Sequence, residues 1–92
     1  MTDRLVKDRR SIDEIDEKMA ALFEERFKIV ADVIDYKIEN CIPILDSGRE
    51  AEIIEKNCNR IMNDDIRFYY RQYFTEILRL SKEYQKQIQD EK

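Results

Sequence analysis

Histidine and tryptophan are absent from this chain of 92 residues, and glycine and proline occur once each. Each gap excludes a class of chemistry. With Gly48 as the sole glycine there is no phosphate-cradling loop and no dinucleotide fingerprint, since both need several glycines at fixed offsets. Without histidine there is neither a Ser-His-Asp triad nor a His-ligated metal. The two cysteines, Cys41 and Cys58, are too far apart to form a C-x-x-C pair, and with no signal peptide in view they read as reduced, cytosolic thiols. No apolar run approaches the ~18 residues of a membrane span, and the N-terminus is charged from Asp3 onward, so neither a span nor a secretory signal is expected. The net charge of −4, from 21 acidic and 17 basic residues, weighs against a nucleic-acid partner. The expectation is a cytoplasmic protein without metal or cofactor. Its chemical equipment is carboxylates, amides, hydroxyls, lysine and arginine.

What the chain does have is helix-forming residues: Glu, Lys, Arg, Ile and Leu, with breaks only at 40–48 and, more weakly, at 63–65. The pattern predicts an all-α fold of one domain over 1–92, with helices near 5–39, 48–62 and 65–89. Ser47 with Glu50 has the form of a capping box for the second helix, and Asp64 or Asp65 is the expected N-cap of the third. The first helix would be about 50 Å long, whereas a compact chain of this size has a radius of gyration of about 12 Å and a diameter of about 30 Å. No Gly or Pro precedes position 43 to break that helix. A homodimer with the long helices side by side is the economical way to cover its apolar stripe.

The stripes are interrupted by charge. On the first helix, steps of three and four connect Ile12, Ile15, Met19, Leu22, Ile29, Val30 and Val33. The same steps reach Arg9 before Ile12, Arg26 between Leu22 and Val30, and Lys37 after Val33. Any one of these cations alone is best explained as an edge residue that snorkels or finds an acidic partner. Three on one inward face point to a bound anion, because an unpaired buried charge costs several kcal/mol. Two well-separated arginines suit a ligand with two carboxylates, which the guanidinium fork binds in bidentate fashion. On the third helix, Ser81 and Gln85 interrupt the seam Ile66, Tyr70, Tyr73/Phe74, Ile77/Leu78, Tyr84 and Ile88. By themselves they would be an interhelical hydrogen-bond pair. Arg49 and Glu50 lie beside Asp46 at the start of the second helix, where a cap and a surface ion pair explain them equally well. The aromatic run 68–74 has helical spacing, which favours core over a nucleic-acid stacking platform.

Taken as one ordered set, these residues carry a resemblance. Arg9, then Asp16-Glu17-Lys18, Glu25-Arg26, Val33, Lys37, Pro43, Asp46 and Arg49-Glu50, followed by Ser81 and Gln85, resemble the pattern of the all-helical AroQ-class chorismate mutases from about Leu5 to Gln87. The connector before the third helix is slightly shorter than in that pattern, and Lys82 falls where relatives often carry an apolar wall residue. The resemblance implies an intertwined helical homodimer that rearranges chorismate, a small dicarboxylate, to prephenate. Arg9 would enter the partner's site and bind one carboxylate, and Arg26 the other. Lys37 and Gln85 would hydrogen-bond the ether oxygen. Glu50 would take the ring hydroxyl, with backbone near Asp46 in reach. Arg49 would line the pocket, Ser81 would sit near a carboxylate, and Val33 with Ile77 or Leu78 would wall the ring. The alternatives are an isochorismate pyruvate lyase of the same fold, and a non-enzymatic helical dimerisation module.

Overall fold

The computed structural model describes residues 2–43 and 47–91, which form three helices with no strand among them. They are α1 (Thr2–Glu39), α2 (Ser47–Cys58) and α3 (Asp64–Glu91). The all-α expectation holds. Asp46 lies outside the described residues, as does the Ser47 side chain of the expected capping box.

α1 is a single unbroken helix of 38 residues. At 1.5 Å per residue it is about 57 Å long, and it sets the longest dimension of the molecule, 58 Å against 27 and 15 Å across. The radius of gyration is 17.0 Å, well above the about 12 Å of a compact chain this size. The excess is the overhang of α1.

The end of α1 is built by its own backbone. Ile42 N–H donates to the Lys37 carbonyl at 2.9 Å and Cys41 N–H to the Ile38 carbonyl at 3.3 Å, the paired bonds of a Schellman motif. That motif needs a left-handed residue, and Cys41 supplies it with φ 55°. Pro43 follows and prevents the helix from resuming.

Several helix boundaries differ from the sequence expectation, α1 beginning at Thr2 in place of residue 5 and α3 reaching Glu91 in place of residue 89. α2 stops at Cys58, short of residue 62. The cause is tertiary: Arg67 of α3 donates through Nε to the Cys58 and Ile61 carbonyls, both at 3.1 Å, and so satisfies acceptors that further helix would have used. The N-cap of α3 is Asn63, not Asp64 or Asp65. Its Oδ1 accepts from the Asp65 and Ile66 N–H groups at 2.9 and 3.2 Å, while Asp64 pairs with Arg67.

The core is small. Ile34 and Cys58 are fully buried and Phe74 nearly so, joined by one polar residue, Ser81. Phe27 of α1 stacks on Tyr84 of α3 with ring centroids 5.2 Å apart and on Phe23 at 4.3 Å. The inner face of α1 is therefore turned slightly from the sequence trace: Ile34 is the buried residue, and Ile29 and Val33 are exposed. Ile66 and Tyr73, placed on the seam of α3, are exposed as well, and so are Phe68 and Tyr69.

α2 is tied to α3 on the surface by Arg71, whose guanidinium holds Glu55 through both carboxylate oxygens at 2.6 and 3.2 Å. That contact lowers the Glu55 carboxyl below its ordinary value and raises Arg71 above its own. Arg79 does the same to Glu76 within α3. Every described side chain from Asp3 to Glu25 is exposed. These include Ile12 at 57% and Leu22 at 63%, so the N-terminal half of α1 carries an apolar stripe that the rest of the described chain leaves largely open to solvent.

Candidate active site

α1 and α2 each pack on α3 but, among the described residues, not on one another. Between them is a cleft of about 320 Å³ with α3 as its floor, at the lower end of the range for small-molecule sites. α1 contributes Arg26, Val30, Val33 and Lys37, which recur at i, i+4, i+7 and i+11 and so share one helical face. α2 contributes Arg49, Glu50 and Ile53. Glu50 stands in the first turn of α2, where a carboxylate suits the helix dipole. α3 contributes Leu78, Ser81, Lys82 and Gln85, with Lys86 and Gln89 further along.

Arg26 is held from two sides. Its Nη1 donates to Ser81 Oγ at 2.8 Å, and the guanidinium lies 5.7 Å from the centroid of the Phe74 ring. Ser81 Oγ in turn donates to the Ile77 carbonyl at 2.9 Å. A neutral hydroxyl and an aromatic face orient the guanidinium without neutralising it, which suits a cation meant for a ligand.

Seven of the nine positions expected from sequence line this one cleft: Arg26, Val33, Lys37, Arg49, Glu50, Ser81 and Gln85. Arg9 does not. It lies on the exposed half of α1, 17 positions before Arg26, about 25 Å along the axis. Asp46 lies outside the described residues. Of the two candidate wall residues, Leu78 lines the cleft. Ile77 faces a second depression with Met19, Leu22, Tyr70 and Tyr73.

Lys82 and Lys86 are cleft residues that the stripe trace did not assign. They follow Ser81 and Gln85 by one position each, on the flank of the face, and their long stems bring the ammonium groups round. The signal for them is an i, i+4 lysine pair riding beside an i, i+4 polar pair. With them, the described lining holds five cations, Arg26, Lys37, Arg49, Lys82 and Lys86, against the single carboxylate of Glu50. A chain of net charge −4 thus concentrates positive charge in one concavity, which focuses its field on an anion. Among the described residues no three His, Cys, Asp or Glu side chains gather where they could hold a metal ion. No described helix is long and apolar enough to cross a membrane.

The fold and cleft define a class: a three-helix protein with a cleft lined mainly by cations. Residues 8–86 match the family described as chorismate mutase type II. The chain belongs to that family, the all-helical isomerases that rearrange chorismate. Neither a curated protein nor a solved structure matches it.

Proposed function

We propose that chorismate binds in the cleft between α1 and α2 and rearranges there to prephenate, with Arg26, Lys37 and Gln85 as the catalytic groups. The observation that carries this reading is the gathering of these three side chains in one cleft, with Arg26 already held by Ser81 and Phe74.

The reaction is an intramolecular Claisen rearrangement. One C–O bond breaks as one C–C bond forms, without a nucleophile or a proton transfer. It needs a dicarboxylate folded so that its reacting carbons meet, and anchored carboxylates provide that orientation. Arg26 binds one carboxylate, with Ser81 alongside. Negative charge grows on the ether oxygen in the transition state, and the Lys37 ammonium and Gln85 amide donate hydrogen bonds to it there. Such donors accelerate the step because they bind the transition state better than the ground state. Glu50 accepts the ring hydroxyl, with backbone near Asp46 in reach. That role favours the mutase over elimination of pyruvate from isochorismate. Arg49 adds positive charge, and Val33 and Leu78 wall the ring.

The second carboxylate is bound by Arg9 of a second copy of the chain. The exposed stripe of α1 supports this, together with the depression where Met19, Leu22 and Phe23 meet Tyr70, Tyr73 and Phe74. Together they form an apolar surface long enough to receive another α1. In an antiparallel pair the Arg9 of one chain is carried toward the cleft of the other. The product would feed phenylalanine and tyrosine biosynthesis in the cytoplasm.

The test is direct. Purified protein should consume chorismate, followed by loss of its absorbance, with prephenate as product. Persistence of chorismate, or release of pyruvate from isochorismate in its place, would overturn the proposal.

A further inference from the structure

Lys82 reaches across from α3 to α2. Its Nζ lies 3.3 Å from Glu50 Oε2, and both residues line the cleft. The reason is legible on α3 itself. The positions one helical turn from Lys82 are Leu78, Arg79, Gln85 and Lys86, so its own helix offers no carboxylate at i±3 or i±4, and the nearby Glu76 and Glu83 are taken by Arg79. Glu50 is the acceptor that the packing of α2 on α3 brings within range. The other ion pair between these helices, Glu55 with Arg71, lies on the outer surface. The Lys82–Glu50 pair stands inside the cleft.

A carboxylate offers about four lone-pair directions over its two oxygens. One ammonium at Oε2 therefore restricts the group's rotation and leaves it able to accept a further donor. We propose that Lys82 is a positioning residue: it sets the orientation of the Glu50 carboxylate and thereby the cleft's preference for a dicarboxylate bearing a ring hydroxyl. This rests on the reading of Glu50 as the hydroxyl acceptor. The two side chains are 45% and 29% exposed, so the pair is only partly shielded and its effect is modest.

A double-mutant cycle with chorismate as the probe tests it. Lys82→Met should raise KM by about threefold with kcat little changed, and Lys82→Arg should restore the native KM. In a Glu50→Ala background, Lys82→Met should add no further rise, because the acceptor that Lys82 holds is gone. An unchanged KM in Lys82→Met overturns the proposal. So does a rise that persists in the Glu50→Ala background, which would mark Lys82 as a direct ligand of substrate. Melting curves taken alongside separate a structural tie between α2 and α3, which moves the Tm and leaves KM alone. If Glu50→Ala by itself changes neither kcat nor KM, the reading of Glu50 fails, and that outcome is identified without any Lys82 variant.

Discussion

Arg26 donates to Ser81 across the α1–α3 contact at 2.8 Å, and Ser81 is one of the few buried residues among those described. A buried serine in so small a core marks the point where packing and function meet. Its hydroxyl is satisfied on both sides, accepting from Arg26 and donating to the Ile77 carbonyl. The same residue that completes the helix contact therefore aims the guanidinium.

Ser81→Ala removes that aim. We expect kcat/KM for chorismate to fall about tenfold, with a loss of about 1 kcal/mol in stability, the usual cost of one such hydrogen bond. Steady-state kinetics with a denaturation curve would measure both. Native kcat/KM in Ser81→Ala would mean that Phe74 alone orients Arg26.

Gln85 is an amide, and it donates whatever the pH. A glutamate at this position donates only when protonated, so Gln85→Glu should make the rate fall steeply between about pH 5 and pH 7.5, because the protonated fraction of an ordinary carboxyl falls about tenfold per pH unit there. The native chain should be nearly flat over that interval. Comparing the two profiles isolates position 85, because Lys37, Glu50, Lys82 and the other charged cleft groups are common to both. Parallel profiles would remove Gln85 from the ether oxygen.

The residues that face the cleft from α1 were legible in the sequence because Arg26, Val33 and Lys37 obey the helical period, and a cation inside an apolar stripe stands out. The period could not choose between Val33 and Ile34. Both continue from Val30 by an allowed step, and the packing of α3 buries Ile34. Lys82 and Lys86 escaped the trace because a long side chain can enter a cleft from a Cα on its flank. The end of α2 escaped it for a different reason. The deciding group is Arg67 on another helix, which takes the carbonyls of Cys58 and Ile61. The 38-residue length of α1 was the clearest signal of all. It left half a helix without cover, a problem that no other segment of the described chain solves.

Cys41 occupies the left-handed position that closes α1, with φ 55°. A residue with a Cβ pays about 1–2 kcal/mol there, and glycine does not. Cys41→Gly should stabilise the protein by about 1 kcal/mol, read as a higher denaturant midpoint at unchanged slope. A lower midpoint would mean that the exposed thiol makes contacts that matter more than the backbone.

The Glu55–Arg71 pair predicts an acid-dependent difference. Because the folded Glu55 carboxyl titrates below its ordinary value of 4.5, the pair contributes stability above that value and loses it as pH falls through the folded one. Glu55→Gln should therefore lower the Tm by a small, constant amount near neutral pH. The gap from the native chain should close in strong acid. Both groups are solvent-exposed, so high salt should shrink it as well. A gap that widens on acidification would reverse the sign of the coupling.

Arg9 gives the sharpest test of the paired-chain reading, because a residue acting in trans can be complemented. Arg9→Ala and Arg26→Ala chains should each be nearly inactive alone. If the two are unfolded together and refolded as an equal mixture, about half of the dimers will be mixed. In a mixed dimer one cleft keeps the native Arg26 of its own chain and receives the native Arg9 of its partner, while the other cleft lacks both. One working cleft in two, in half of the dimers, returns about a quarter of native activity. If Arg9 served its own chain, every cleft in the mixture would lack one arginine and no activity would return. Recovery near a quarter would assign Arg9 to the partner's cleft and make α1 a helix shared by two sites.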